Sequence, residues 1–251
     1  MLEPVQVIVQ LIGFAMAAAL VVWALAEYRR EPDRTTSLQV QQIERVVHGY
    51  DAAVLGRRTL DGSVCSMNAH SILLAEHYGR AWGAHDAVLR ASTGRSRELK
   101  NDFCVLRFPP RSTTGLWTYA TCGMSDPDAD VGIELFMFSP VETARISELL
   151  NVTAHFHQTA EPLGLDHTVN FGQPWLPDSI CDHALVSLPY TVGPKLEMFV
   201  PAEGKDWRCL WLIPITAREV DYKKQHGVEA LEEVFDKHSF NYVNPRRRSC
   251  V

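Results

Sequence analysis

The chain has 251 residues, 46% of them hydrophobic and 22% charged, which suits one sizeable core and excludes a chain disordered over most of its length. Its net charge of −6, with basic residues bunched only at Arg246, Arg247 and Arg248, excludes the broad basic footprint of a nucleic-acid binder. Six cysteines with no C-x-x-C pair exclude a disulfide framework; Cys104, Cys122 and Cys209 lie in apolar runs and read as small buried hydrophobes of a reduced, intracellular domain.

In chain order, residues 5–26 come first. They carry no charged side chain, and their length is close to the ~20 residues a helix needs to cross a bilayer. Trp23 and Tyr28 stand near the end of the run and Arg29, Arg30 and Arg34 follow it, so the positive-inside rule places the main body in the cytoplasm behind a single N-terminal span. Ala24-Leu25-Ala26 matches a signal-peptidase site, but the flank before the run lacks the basic residues of a signal peptide. Residues 27–66 read as a linker and an amphipathic helix, with Ser37 as N-cap before Leu38, Val40, Ile43, Val46 and Val47.

Residues 67–245 form the main domain. Asn68 is the expected cap of a helix with Ile72, Leu73, Leu74 and Tyr78 on its apolar side, ended by Gly79 or Gly83. From residue 103 the pattern changes to short, branched or aromatic runs bounded by turn residues. Strands are expected at Phe103–Leu106, Trp117–Thr121 and Ile133–Phe138. Pro140 is expected to open a helix capped by Ser139, with Ile146, Leu149, Leu150 and Val152 inward and His155-Phe156-His157 just beyond its end. Further strands are expected at Lys195–Val200 and Trp207–Ile213, the second buried on both faces, before a turn at Pro214-Ile215-Thr216. Thr216 and Glu219 make a capping box, Gly227 breaks the helix, and Val228–Lys237 forms the last helix with Leu231, Val234 and Phe235 inward. Glu229, Glu232 and Glu233 of that helix read as a solvated face, and residues 246–251 as a solvated basic tail able to touch anionic lipid.

The stretch from Thr153 to Tyr190 holds the densest chemistry. His155, His157, His167 and His183, with Asp166, Cys181 and Asp182, raise the question of a metal-dependent hydrolase, since zinc needs three or four N, S or O ligands converging on it. No H-E-x-x-H or other ligand spacing supports one, and on a helix His155 and His157 would diverge. A Cys181–His183 nucleophilic pair lacks an evident orienting group or oxyanion hole. There is no phosphate-binding glycine loop.

Several pieces together carry a family likeness. They are Tyr119-Ala120-Thr121-Cys122-Gly123-Met124-Ser125, Ile133 to Phe138, Gly164 to Pro174, Ser187-Leu188-Pro189-Tyr190, Trp211-Leu212-Ile213-Pro214-Ile215-Thr216 and the helix Glu219 to Phe235. In this order they resemble the suppressor-of-fused domain family, in its single-domain bacterial form. The resemblance implies a mixed α/β (α+β) domain with a mostly antiparallel or mixed central sheet flanked by helices. It also implies a protein-binding role without catalytic residues. Bacterial relatives are thought to act as immunity proteins that neutralise a toxin by binding it. The expectation is therefore a membrane-tethered, non-catalytic binding module whose partner is a toxin or a signalling protein. No cofactor, metal, nucleic acid or small-molecule substrate is expected; a metal-dependent hydrolase and a signalling scaffold are the alternatives. The residues nominated for partner contact are Trp175 and Asp178, in a loop expected to be exposed, and Tyr190.

Overall fold

A computed structural model describes residues 67–90, 99, 103–111, 115–129, 131–200, 205–238 and 240–251. The expected membrane span at residues 5–26 and the linker and helix at 27–66 lie outside these residues. Among the described residues no helix is long and apolar enough to cross a membrane.

The domain opens with helix α1, Ala69–Trp82. Asn68 Oδ1 accepts the Ser71 amide at 2.8 Å, the N-cap that its side chain suits. Leu74, Tyr78 and Trp82 recur at four-residue steps and turn one face inward. Gly83, at φ +80°, ends the helix in a conformation that residues with a Cβ avoid.

Eight strands follow within one sheet: β1 Ala87–Leu89, β2 Cys104–Phe108, β3 Trp117–Cys122, β4 Val131–Ser139, β5 Thr168–Asn170, β6 His183–Ser187, β7 Met198–Phe199 and β8 Asp206–Ile215. The order is β1-β2-β3-β4-β8-β6-β5, with β7 added beside β8. Every pairing is antiparallel except that of β4 with β8, which is parallel in the register Val131↔Asp206 to Phe136↔Trp211. Helix α2, Ala144–Thr159, lies between β4 and β5; the single turn α3, Pro194–Glu197, precedes β7; α4, Ala217–His226, and α5, Val228–Lys237, follow β8.

Strand alternation sorts the core into two layers. On one face Cys104, Leu106, Phe108, Phe136, Phe138, Cys209 and Trp211 pack with Leu74 and Trp82 of α1 and Leu231 and Phe235 of α5. On the other, Val105, Tyr119, Leu135, Met137, Leu210 and Leu212 pack with Ile146, Leu149, Leu150 and Ala154 of α2. Both faces are covered by helices, which is why β4 and β8 read as nearly unbroken apolar runs. Gly132 sits opposite Trp207 in the parallel register, and a Cβ there would stand 2.5 Å from the indole.

Several sequence expectations shift. Pro140 does not begin a helix: β4 runs through Ser139, whose hydroxyl donates to Val141 O, and Thr143 caps α2 instead. Val152 is 60% exposed, and the inward positions pass to Thr153 and Ala154. His155, Phe156 and His157 belong to α2 itself. The expected strand at Lys195–Val200 is a helical turn and a two-residue strand, because Pro194 after Gly193 suits the first turn of a helix. Pro214 and Ile215 extend β8 rather than turning away; the pairing with β4 stops at Trp211, so Pro214 occupies an edge-like position where its missing N–H is tolerated.

Candidate functional site

The histidines of the central stretch do not form a metal centre. Among the described residues no group of three or more His, Cys, Asp or Glu side chains is placed to hold an ion. The Leu163 amide donates to His157 Nδ1 at 2.9 Å, and His157 Nε2 lies 3.2 Å from Ser125 Oγ. An accepting Nδ1 requires the proton on Nε2, and burial pushes the imidazole pKa down, so the ring is a neutral cross-brace between α2 and the turn after β3. His183 Nδ1 pairs with Asp182 at 2.7 Å, His155 contacts Thr159 on its own helix, and His167 is exposed. Cys181 is buried and its thiol pKa is raised by that burial, the reverse of an activated nucleophile.

The three nominated contact residues separate. Trp175 is 1% exposed, so the expected exposed anchor is part of the core under α2. Its amide donates to Cys181 O at 3.0 Å, which folds the Pro/Trp loop back on itself. Asp178 is exposed, adopts φ +61° and meets Arg246 at 2.9 Å. Both partners of that pair are largely exposed, so it contributes little stability. Beside it Ile180 is 57% exposed.

Tyr190 is the nominee that keeps an accessible aromatic ring, at 60% exposure. Its hydroxyl donates to Glu232 Oε1 at 3.2 Å. Partial burial of the hydroxyl, then Glu232, Asp166 and Glu197, push its pKa up to about 12, so the group stays protonated. The Glu232 carboxyl is raised as well, by burial and by Asp166, Asp236 and Glu229. An exposed ring is thus framed by carboxylates from the β5 approach, α3 and α5. Arg208 pairs with Glu197, leaving the Glu232 side of the frame negative.

Two buried carboxylates escaped the sequence reading as chemical groups. Glu134 of β4 is 1% exposed. Thr121 Oγ1 donates to it at 2.5 Å, and the amides of Gly123 and Met124 at 3.0 and 2.9 Å. It therefore ties the Gly123-Met124-Ser125 turn to the sheet. Burial raises its pKa to about 7 against those donors. A lone acid in the run Ile133-Glu134-Leu135-Phe136 was the available signal. Glu219, seen in the sequence only as a capping partner, is 0% exposed and takes a two-pronged bond from Arg247, Nη1 and Nη2 each at 2.7 Å. Burial alone would raise its carboxyl; Arg247 and the amides of Thr216 and Cys250 outweigh that and hold the pKa below the ordinary value. Arg247 also donates to Pro214 O at 3.1 Å and lies 4.5 Å over the Phe240 ring. The closing residues are thus pinned at Arg247 rather than trailing as a solvated basic tail.

The chain matches the family model for suppressor of fused protein (SUFU) over residues 100–248. It is similar to a suppressor of fused homologue from Neisseria gonorrhoeae, with 32% identity and a TM-score of 0.64 over 72% of this chain and 97% of that one. Suppressor of fused in a crystallised Sufu–Fu complex shares its fold at 13% identity and a TM-score of 0.55, over 72% of this chain and 92% of that chain. Drosophila Suppressor of Fused does so at 13% identity and 0.52, over 70% of this chain and 50% of its own. Comparison with curated proteins gives no match.

Proposed function

Because the chain belongs to the suppressor of fused family, we propose that it is a non-catalytic protein-binding module of the immunity type, which neutralises a toxin by binding it. The partner surface in this reading is centred on Tyr190, with Glu232 beside it and Asp166 and Glu197 at its margin. The observation that carries the reading is the accessible Tyr190 ring set among carboxylates. An exposed aromatic is the side chain that most often anchors an interface, and a negative rim steers a positively charged partner. Such a frame suits a toxin with a basic surface, for example a nuclease, whose arginines would stack on the ring and pair with Glu232. Relatives of the same fold support protein binding as the mode of action: the Sufu–Fu structure is a complex of two proteins. Asp178 and Ile180 are exposed in a separate loop and would make a second contact.

The N-terminal run at residues 5–26 would tether the module to the cytoplasmic face of a membrane, where it would meet an incoming toxin. Carbonate washing of membranes should leave the full chain in the pellet and release a chain beginning at Met67. Release of both would remove the tether from the proposal.

The main test asks whether a toxin domain is encoded beside this chain and, where one is, pairs the module with it. Co-expression should restore growth of cells producing the toxin, and the purified proteins should form a stoichiometric complex. Tyr190→Ala with Glu232→Lys should abolish both while leaving the thermal unfolding midpoint near wild type. Failure of the wild-type module to bind or protect would overturn the immunity reading. A double variant that still protects would move the surface elsewhere.

A further inference from the structure

Residues 240–251 form no helix or strand, yet their course is fixed at several points. The Phe240 ring stacks on Phe235 of α5 at 4.1 Å, and the Arg247 guanidinium lies 4.5 Å over it while bonding Glu219 of α4. Between these anchors two asparagines set the turns. Asn241 Oδ1 accepts the amides of Val243 and Asn244 at 3.3 and 3.1 Å, and Asn244 Oδ1 accepts that of Arg246 at 3.0 Å. Side-chain bonds of this kind to nearby backbone hold a segment in shape without a ladder.

The segment touches the chain beside both exposed contact loops. The Tyr242 ring stands edge-on to Trp211 at 4.6 Å. Trp211 pairs with Ser187, the last residue of β6 before the loop that carries Tyr190, and the Tyr242 hydroxyl neighbours the Thr191 side chain of that loop. Further along, Arg246 meets Asp178 at 2.9 Å, and the charges of Arg247 and Glu219 act on the Cys181 thiol. Cys181 closes the other loop by accepting the Trp175 amide at 3.0 Å. The Arg246 pair is exposed and adds little stability, so the holding contacts are half-buried Tyr242 and buried Arg247.

From these attachments we propose that residues 240–248 act as a strap that orders the two loops together, so that Tyr190 and the pair Asp178 and Ile180 form one preset surface. Loops ordered in advance lose less conformational entropy when a partner spans both. That use of the strap rests on the protein-binding reading. The coupling itself does not, and its test needs no partner, so a failed strap and a failed partner are seen separately.

The test is hydrogen-exchange mass spectrometry of the full-length chain, following peptides that cover residues 175–181 and 188–193. Rates are compared at labelling times over which β3 and β4 stay protected, so that only local opening is read. Tyr242→Ala removes the ring from Trp211. It should speed residues 188–193 about tenfold and, through the strap, residues 175–181 about threefold. Asn244→Gly loosens the middle of the strap at an exposed position, so the fold should persist, and it should speed both loops about threefold. A variant that merely lowered global stability would leave both loops at wild-type rates in this window. The proposal is overturned if Tyr242→Ala speeds only residues 188–193, or if Asn244→Gly leaves either loop at its wild-type rate.

Discussion

Replacing Arg247 by alanine tests the best-defined polar contact in the domain. Glu219 is 0% exposed, and Arg247 supplies both of its 2.7 Å bonds from a side chain. In the variant the carboxylate keeps only the amides of Thr216 and Cys250 as donors from outside its own charge pair. Removing one partner of a buried pair costs about 3–5 kcal/mol, because the remaining charge stays desolvated and unpaired. For a domain of this size each kcal/mol lowers the melting temperature by roughly 2–4 °C, so a fall of about 6–20 °C is expected at pH 7. The pH dependence gives a second, independent readout. In the wild type the Glu219 pKa is held below its ordinary 4.5, so the pair's contribution is present above about pH 4.5 and fades as the pH falls through the folded-state pKa. Without Arg247, burial dominates and the folded-state pKa rises above the unfolded value. The variant then binds more protons folded than unfolded and loses stability as the pH rises. The gap between the two proteins should therefore be wide at pH 7 and narrow near pH 4. Urea unfolding at both values, with Glu219→Met and the double variant completing a cycle, measures it. A deficit below about 1 kcal/mol at pH 7, or a gap that does not shrink in acid, would refute the assignment.

Glu134→Gln should change the pH profile in the other direction. The wild-type carboxyl is raised from 4.5 to about 7, so it contributes stability below about pH 4.5 that is lost as the pH rises through 7. The shift corresponds to a loss on the order of 3 kcal/mol. Glutamine keeps an acceptor for the Gly123 and Met124 amides without the charge, so its stability should stay flat from pH 5 to 8 where the wild type declines; a flat wild-type profile would count against it. Gly132→Ala places a Cβ into the Trp207 ring and should cost about 1–3 kcal/mol in urea unfolding. His157→Phe removes the brace to Ser125 and Leu163 and should speed amide exchange in the Gly123–Ser125 turn more than in β4, as hydrogen-exchange mass spectrometry would register.

The secondary structure was legible where local physics acts alone. Asn68 caps α1, the Thr216–Glu219 box opens α4, and Gly227 separates α4 from α5, because capping uses groups within four residues of one another. The strands stood out through branched and aromatic runs, and their unbroken apolarity foretold a sheet covered on both faces. What misled was equally local. Pro140 could open a helix in principle, but the sheet extended β4 to Ser139. Pro214 looked like a turn because its edge-like position depends on where the β4 pairing stops. Trp175 read as a surface aromatic, and its burial follows from α2 packing over its loop, a contact between segments far apart in sequence.

By itself the sequence determined the helix boundaries set by caps, the strand character of the apolar runs and, through the order of its motifs, the family. These depend on short-range sterics, hydrogen bonding and periodicity. The tertiary structure alone decided which polar groups are chemically special. Burial lifts the Glu134 carboxyl, while Arg247, arriving from 28 residues away, depresses that of Glu219. It also neutralised the histidines as ligand candidates by giving His157 and His183 protein partners, and left the Tyr190 ring exposed among carboxylates drawn from separate elements. Desolvation and charge pairing depend on what lies within a few ångströms in space, and residues distant in the chain become neighbours only when the sheet and helices close.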